Sequence, residues 1–218
     1  MRAIVLDAKE RKRLAVMDQL EAEARGNGFT RIAGVDEAGR GPLAGPIVAG
    51  AVILASTIPG LDDSKRLSEA ARESLFVQIH AGGHEVGVAI IEPEEIDRVG
   101  IQAANYRVMA LAVMNLPAAP DFLLVDGFRI PGVPWPQSRI IRGDQRSQSI
   151  AAASIVAKVT RDRLMGALEN QCPGYGFARH KGYGTREHLE ALERLGPCPA
   201  HRRSFAPLSK RNVDELFA

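Results

Sequence analysis

Apolar positions along the chain repeat with two alternating periods. Residues 8–25 mix apolar residues with many charges at helical spacing, and Gly26-Asn27-Gly28 closes the run. Thr30-Arg31-Ile32-Ala33-Gly34-Val35 is short and β-branched, a predicted strand that delivers Asp36-Glu37 at its end. After the turn Gly39-Arg40-Gly41-Pro42, residues 46–54 are almost continuously apolar, which predicts a strand buried on both faces. A polar loop, Asp62-Asp63-Ser64-Lys65, leads to a helix begun by Ser68 with Glu69 and Glu73, running to His80. Gly82-Gly83 sets off a third strand over 85–91. Pro93-Glu94-Glu95 suits the first turn of a helix, which runs to Leu116 with a weak point at Gly100.

The second half follows the same alternation. Residues 121–127 form a strand ending at Asp126, 131–136 an irregular loop, and 138–142 a strand with Asp144 just beyond it. Ser147 caps a long alanine-rich helix to Asn170. Residues 172–184 are a glycine- and aromatic-rich loop, Thr185 begins a helix through Leu195, and residues 197–218 are proline-punctuated. Strands alternate with helices after one hairpin, so the expected class is α/β with a mixed central sheet flanked by helices and a small helical C-terminal extension. The expected divisions are 1–28, 29–170 and 171–218.

Composition narrows this picture only a little. Hydrophobic residues at 45% and charged residues at 25% are those of a globular protein with a real core. A net charge of +2 neither demands nor excludes nucleic acid, but residues 139–186 hold nine Lys/Arg against three Asp/Glu, enough for a basic surface. Two cysteines make no disulfide framework, which points to a reducing compartment. No apolar run approaches the roughly 20 residues of a membrane span, and the first residues lack a signal-peptide core. The expectation is a cytoplasmic monomer without membrane contact.

The candidate chemistry lies in acids at three strand ends: Asp36-Glu37, Asp126 and Asp144. Carboxyl ends of neighbouring strands meet at one crevice, where gathered carboxylates repel one another unless cations neutralise them. An oxygen-only donor set suits Mg²⁺ or Mn²⁺, and two such ions can support phosphodiester hydrolysis. A single Asp after a strand is equally a turn former or helix cap, and spacing alone decides no further.

Longer strings carry more. Gly34-Val35-Asp36-Glu37-Ala38-Gly39-Arg40-Gly41-Pro42-Leu43-Ala44-Gly45-Pro46 resembles a signature of the ribonuclease HII family. So do Leu61-Asp62-Asp63-Ser64-Lys65-Arg66-Leu67-Ser68, Val125-Asp126-Gly127, Gly143-Asp144, the segment from Ser149 to Asp162, Lys181-Gly182-Tyr183-Gly184-Thr185 and His201-Arg202-Arg203-Ser204-Phe205. The strings stand in the family's order. The resemblance implies an RNase H-like fold and an endonuclease acting on the RNA strand of RNA/DNA hybrids and on single ribonucleotides in duplex DNA. It implies cleavage on the 5′ side of the ribonucleotide, giving 5′-phosphate and 3′-OH in ribonucleotide removal. Two Mn²⁺ or Mg²⁺ ions would be held by Asp36, Glu37, Asp126 and Asp144.

The resemblance also assigns a substrate side. Gly39-Arg40-Gly41, on spacing alone a tight turn, would sense the 2′-OH through backbone groups. Tyr183, otherwise a surface anchor, would stack on the following deoxyribose. Lys65, Ser154, Lys158, Lys181 and Arg202 are candidate phosphate contacts. Lys158, Arg161 and Arg163 suit exposed helix charges equally well. His180 and His201 lie in basic segments and are candidates for nucleic-acid contact, while Cys172, His180, His188, Cys198 and His201 match no paired zinc spacing. A ribonuclease HIII would carry an additional N-terminal domain. A DNA junction nuclease of related fold would share the acids but cut DNA, and a catalytically silent hybrid-binding module would not need them. Leu216-Phe217 resembles a clamp-docking tail only weakly, and no clamp partner is expected.

Overall fold

The computed structural model describes residues 7–210, so Leu216-Phe217 lies outside the described residues. Five strands, β1 (Ile32–Ala38), β2 (Ile47–Ile53), β3 (Glu85–Ile91), β4 (Phe122–Asp126) and β5 (Gln137–Ile140), form one sheet in the order β3-β2-β1-β4-β5. β1, β2 and β3 pair antiparallel; β4 and β5 join parallel to β1. The expected mixed sheet is present. Val35 pairs with Val125, so Asp36 and Asp126 sit one rung further along two adjacent parallel strands.

The helices are α1 (Ala8–Met17), α2 (Gln19–Gly26), α3 (Glu69–Ala81), α4 (Pro93–Val99), α5 (Ile101–Met114), α6 (Gln148–Gln171), α7 (Phe177–His180) and α8 (Arg186–Leu195). Strand alternation divides the core. Ala33, Val35, Ala49 and Ala51 pack with Val108, Met109 and Ala112 of α5. Val52 faces the other way, towards Ala152, Ile155 and Val156 of α6. Glycines bring α6 against the sheet: a Cβ on Gly34 would stand 2.1 Å from the Ser149 carbonyl carbon, and one on Gly50 2.6 Å from the Ala153 oxygen. The alanines of α6 and the glycines of the sheet are two halves of one close approach. It brings α6 alongside the carboxyl-bearing end of β1.

Four sequence expectations need correction, the first being that residues 172–184 are not all loop, since Phe177–His180 form α7. The N-terminal helix is two helices, parting at Asp18, whose N–H reaches the Leu14 and Val16 carbonyls. The run over 93–116 divides at Gly100, where φ is +82° and a glycine is required. β5 is shorter than 138–142 suggested, and Asp144 belongs to a 3₁₀ turn, Gly143–Gln145, after it. Ser68, Ser147 and Thr185 all cap their helices through the side chain, as their sequence positions predict. Beyond α6, a separate apolar cluster of Leu43, Ala44, Met165, Tyr175, Phe177, Ala191 and Leu192 seats the C-terminal segment against the 43–44 turn.

Candidate active site

A cleft of about 250 Å³ opens beside the ends of β1 and β4. Asp36, Glu37, Gly39, Arg40, Gly41, Lys65, Asp126, Ser154, Lys158 and Tyr183 line it. Asp144 is buried just behind Lys65, whose Nζ lies 3.6 Å from Asp144 Oδ2. The four predicted acids therefore gather in one place, from two strands and one 3₁₀ turn.

Their environment opposes ionisation. Burial pushes Asp36 well above the usual carboxylate range, and the charges of Glu37 and Asp126 add to the effect. Bonds from Ser154 and from the Glu37 N–H, the latter at 2.7 Å, offset only part of it. Burial likewise raises Glu37 to about 7, against the pull of the Arg40 cation. Asp144 is raised to about 6 by burial and by Asp63 and Asp126. Asp126 is raised by burial although the Gly143 N–H donates to its Oδ1 at 2.6 Å. Lys65 faces this group; partial burial works against its charge, but Asp144, Asp36, Asp63 and Asp126 together raise its pKa. Among the described residues no three His, Cys, Asp or Glu side chains form a ready-made metal ligand set. What the structure shows is a concentration of carboxylates with too little positive charge to match.

Asp63 is a fifth acid. It is buried, accepts from the Lys65 N–H at 2.9 Å and from Gln145 Nε2 at 3.2 Å, and acts electrostatically on Asp144. Its place in Asp62-Asp63-Ser64-Lys65 was visible in the sequence, but nothing there distinguished it from a turn former.

The recognition candidates Gly39, Gly41 and Tyr183 line the same cleft. Gly39 has φ +99° and no room for a side chain, since a Cβ would meet Arg161 Nε at 2.1 Å. Gly41 is open, and a Cβ there would stand 4.0 Å from Tyr183 Cε1. The half-exposed Tyr183 ring and Gly41 thus face each other. Arg40 lines the cleft with its Nε 3.9 Å from Glu37 Oε1, while its guanidinium lies 4.4 Å above the Phe128 ring and its Nη2 donates to Gln102 Oε1 at 3.0 Å.

The remaining candidates divide. Ser154 meets Ser64 Oγ at 2.9 Å, and Lys158 Nζ pairs with Asp162 at 2.6 Å while still lining the cleft. Lys181 Nζ donates to the Ala178 carbonyl at 2.7 Å and does not line it. Arg202 is a correction: it is fully buried and cannot reach a phosphate. Its guanidinium donates to the carbonyls of Gly39, Arg40 and Gly45 at 2.6–3.1 Å. Arg161 is not an exposed helix charge either. It is 1% exposed and donates to Pro46, Ala44 and Lys181 carbonyls at 2.9–3.1 Å. The 4-3-4 spacing of Ser154, Lys158, Arg161 and Met165 along one stripe of α6 is the signal that could have revealed it.

The histidines are also engaged internally. His188 Nδ1 lies 2.9 Å from the Tyr183 carbonyl, which only accepts, so that nitrogen carries the proton. His188 Nε2 then accepts from His201 Nε2 at 3.0 Å, and His201 Nδ1 accepts from the Cys198 N–H at 3.0 Å. Burial, then the proximity of His188, lowers His201 to about 4, so the chain stays neutral. His201 is buried, and both His180 nitrogens are taken by Tyr175 O and the Gly182 N–H. Neither is placed to meet nucleic acid; both brace the Tyr183 loop.

A model of the family "Ribonuclease HII" matches residues 33–208. A ribonuclease HII of Bacillus thuringiensis (strain Al Hakam) is 50% identical over 205 residues, covering 93% of this chain and 79% of its own. One from Geobacillus kaustophilus (strain HTA426) is 56% identical over 190 residues, 86% of this chain and 73% of its own. Among solved structures, ribonuclease H2 from Pyrococcus horikoshii OT3 superposes with a TM-score of 0.69 at 26% identity, covering 83% of this chain and 96% of that one. The RNase HII of Archaeoglobus fulgidus, solved in a complex with PCNA, gives 0.70 at 25% identity, covering 85% and 100%. The sheet order and flanking helices are those of the RNase H-like fold. The chain belongs to the ribonuclease HII family and is an endonuclease of the ribonuclease H class.

Proposed function

We propose that Asp36, Glu37, Asp126 and Asp144 hold divalent Mg²⁺ or Mn²⁺, and that the enzyme so loaded cuts the RNA strand of RNA/DNA hybrids and single ribonucleotides within duplex DNA. The observation that carries this reading is the group of buried acids with raised pKa values, which the charges of Lys65 and Arg40 offset only in part. Such a group favours protons or hard cations, and its all-oxygen donors suit the latter. Bound there, two divalent ions would supply the charge to polarise the phosphodiester and activate water. Asp36 and Glu37 would hold them from β1, Asp126 from β4 and Asp144 from the turn behind, with Lys65 giving up its contact to Asp144.

The chain's own groups would choose the bond. The backbone around Gly39 to Gly41, unobstructed by a side chain at Gly41, would meet the ribose 2′-OH, and Tyr183 the next sugar. Lys65, Ser154 and Lys158 would touch phosphates; Lys181 is the weakest candidate, since its ammonium turns to Ala178. The segment from 171 onward, which brings Tyr183 to the cleft, is the substrate-reading part of the chain. With the 2′-OH spent on recognition, the products carry 5′-phosphate and 3′-OH, as ribonucleotide removal requires. The enzyme acts as a monomer in a reducing cytoplasm; among the described residues no helix is long and apolar enough to cross a membrane.

A duplex with one embedded ribonucleotide, incubated with Mg²⁺, Mn²⁺ or EDTA, tests the proposal. Cleavage with either ion and none in EDTA, with 5′-phosphate ends, is expected. Cleavage in EDTA, or a 2′,3′-cyclic phosphate product, overturns it.

A further inference from the structure

The first two helices lie before the matched region, which starts at residue 33. They nonetheless grip the two loops that complete the acid cluster. In α1, Arg13 Nη1 donates to the Leu61 carbonyl at 2.7 Å while forming a two-bond pair with Glu10. Glu10 Oε1 accepts the Gly60 N–H at 2.9 Å, and Met17 packs with Ile58 and Leu61. Residues 60 and 61 lead directly into Asp63, Ser64 and Lys65.

The second grip is on the turn that holds Asp144. Gln148 Nε2 donates to the Leu14 carbonyl at 2.9 Å. From α2, Glu21 reaches the start of α6, and its Oε1 accepts from Ser147 Oγ at 2.6 Å, Ser149 N at 2.9 Å and Ser149 Oγ at 2.8 Å. Glu21 is only 5% exposed. A carboxylate at the N-terminus of a 24-residue helix is favoured by the free N–H groups and the dipole there. Ser147 N is bonded back to the Gly143 carbonyl at 2.9 Å, so the cap and the Asp144 turn are one unit. The two gripped loops then meet: Gln145 Nε2 bonds Asp63, and Lys65 lies against Asp144. Asp36 and Glu37, set by β1, receive no contact from this brace.

We propose that α1 and α2 are a positioning element of the active site. Through Arg13 and Glu21 they hold the Lys65 loop and the Asp144 turn in register with the strand-borne acids, so that the rate of cleavage depends on them strongly and the binding of the hybrid, in which Lys65 is one phosphate contact among several, only slightly. This rests on the acid cluster being the reactive centre. Glu21 also allows a graded test. Its Oε2 is buried with no hydrogen-bond partner among the described residues. A glutamine can therefore keep its oxygen on all three donors and place its NH₂ where no other donor competes.

The experiment compares the full-length chain with Glu21→Ala and Glu21→Gln. It reads single-turnover cleavage at saturating hybrid, hybrid Kd in EDTA, and amide hydrogen exchange. For Glu21→Ala, cleavage falls about tenfold, within the range that a displacement of an ångström or less produces. Kd stays within about twofold, equivalent to about 0.4 kcal/mol. Exchange accelerates in 143–149 and also in 60–66, but not in 181–185; Glu21→Gln recovers most of both losses. A wild-type rate for Glu21→Ala despite faster exchange shows that the helices merely stabilise the fold, and overturns the proposal. So does a weakened Kd with an unchanged saturated rate, or faster exchange confined to 143–149. If Glu21→Ala fails to fold, Arg13→Met, which leaves the α6 cap intact, carries the same readouts through the 60–66 loop. A wild-type enzyme that cuts no hybrid would refute the catalytic reading; the exchange coupling between the two loops would still decide the brace.

Discussion

Two groups of buried ionisable side chains lie at and behind the wall of the cleft, and they are handled in opposite ways. On one side Asp36, Glu37, Asp126 and Asp144 are acids with little positive charge to favour their ionised forms. On the other, Arg161 and Arg202 are buried cations with no carboxylate bonded to either guanidinium among the described residues. Their positive charge is met by peptide carbonyls from the 39–46 loop and from Lys181. Burial lowers Arg202 to about 9, which still leaves it charged at neutral pH. The arginine side is saturated and can only hold things in place. The acid side is unsaturated and therefore available to a ligand. Both are costly buried charges, and the supply of partners decides which is structural and which is chemical.

This contrast can be broken most severely at Asp126. Asp126→Asn should lower cleavage by at least about 10⁴-fold, about 5.5 kcal/mol of barrier, while melting temperature and hybrid affinity hold or rise. Cleavage at the wild-type rate would end the assignment. Next is Arg202→Met, which leaves three buried carbonyls unpaired. It should cost about 3–5 kcal/mol in chemical unfolding, with cleavage of every substrate reduced, and Arg202→Lys should restore only a part. A loss under about 1 kcal/mol would mean the carbonyls find water easily.

In the metal-free protein Glu37 and Asp144 have folded pKa values of about 7 and about 6, above their ordinary 4.5 and 3.8. Between those limits the folded state binds more protons than the unfolded one, so stability falls as pH rises. A decline of about 1–3 kcal/mol between pH 5 and pH 8 is expected by urea unfolding, and Mg²⁺ should flatten it. A rise in metal-free stability over that range would contradict the unsatisfied character of the acids. The smallest effect belongs to the exposed Tyr183. Tyr183→Ala should cost about 1 kcal/mol on a single embedded ribonucleotide and less on a long hybrid; equal, wild-type rates on both would remove Tyr183 from recognition.

The acid side was largely legible in the sequence and the arginine side was not, for a physical reason. Asp36-Glu37 and Asp126 end apolar strands, so their position follows from local pattern and the geometry of parallel pairing. Ser68, Ser147 and Thr185 are likewise local, each bonding an N–H three residues on. Arg202 bonds carbonyls 157 to 163 positions earlier in the chain. An arginine in a basic segment has one local signature, whether its partners are phosphates or distant peptide groups. Asp144 fell between these cases, recognised as an acid near a strand end but placed in a turn that distant partners define: α6, Asp126 and Asp63.

One further consequence follows from Arg161. Its three bonds reach Ala44 and Pro46 on one loop and Lys181 on another, and the Leu43 N–H bonds the Gly182 carbonyl at 2.8 Å beside them. The gap between Gly41 and the Tyr183 ring is therefore a fixed length and not the sum of two loop fluctuations. A fixed length is a ruler. On the proposed reading, two neighbouring sugars presented to it would be judged together, as a coincidence of one ribose and one adjacent site, and a strand offering only one of the two would gain little from fitting half of the gauge.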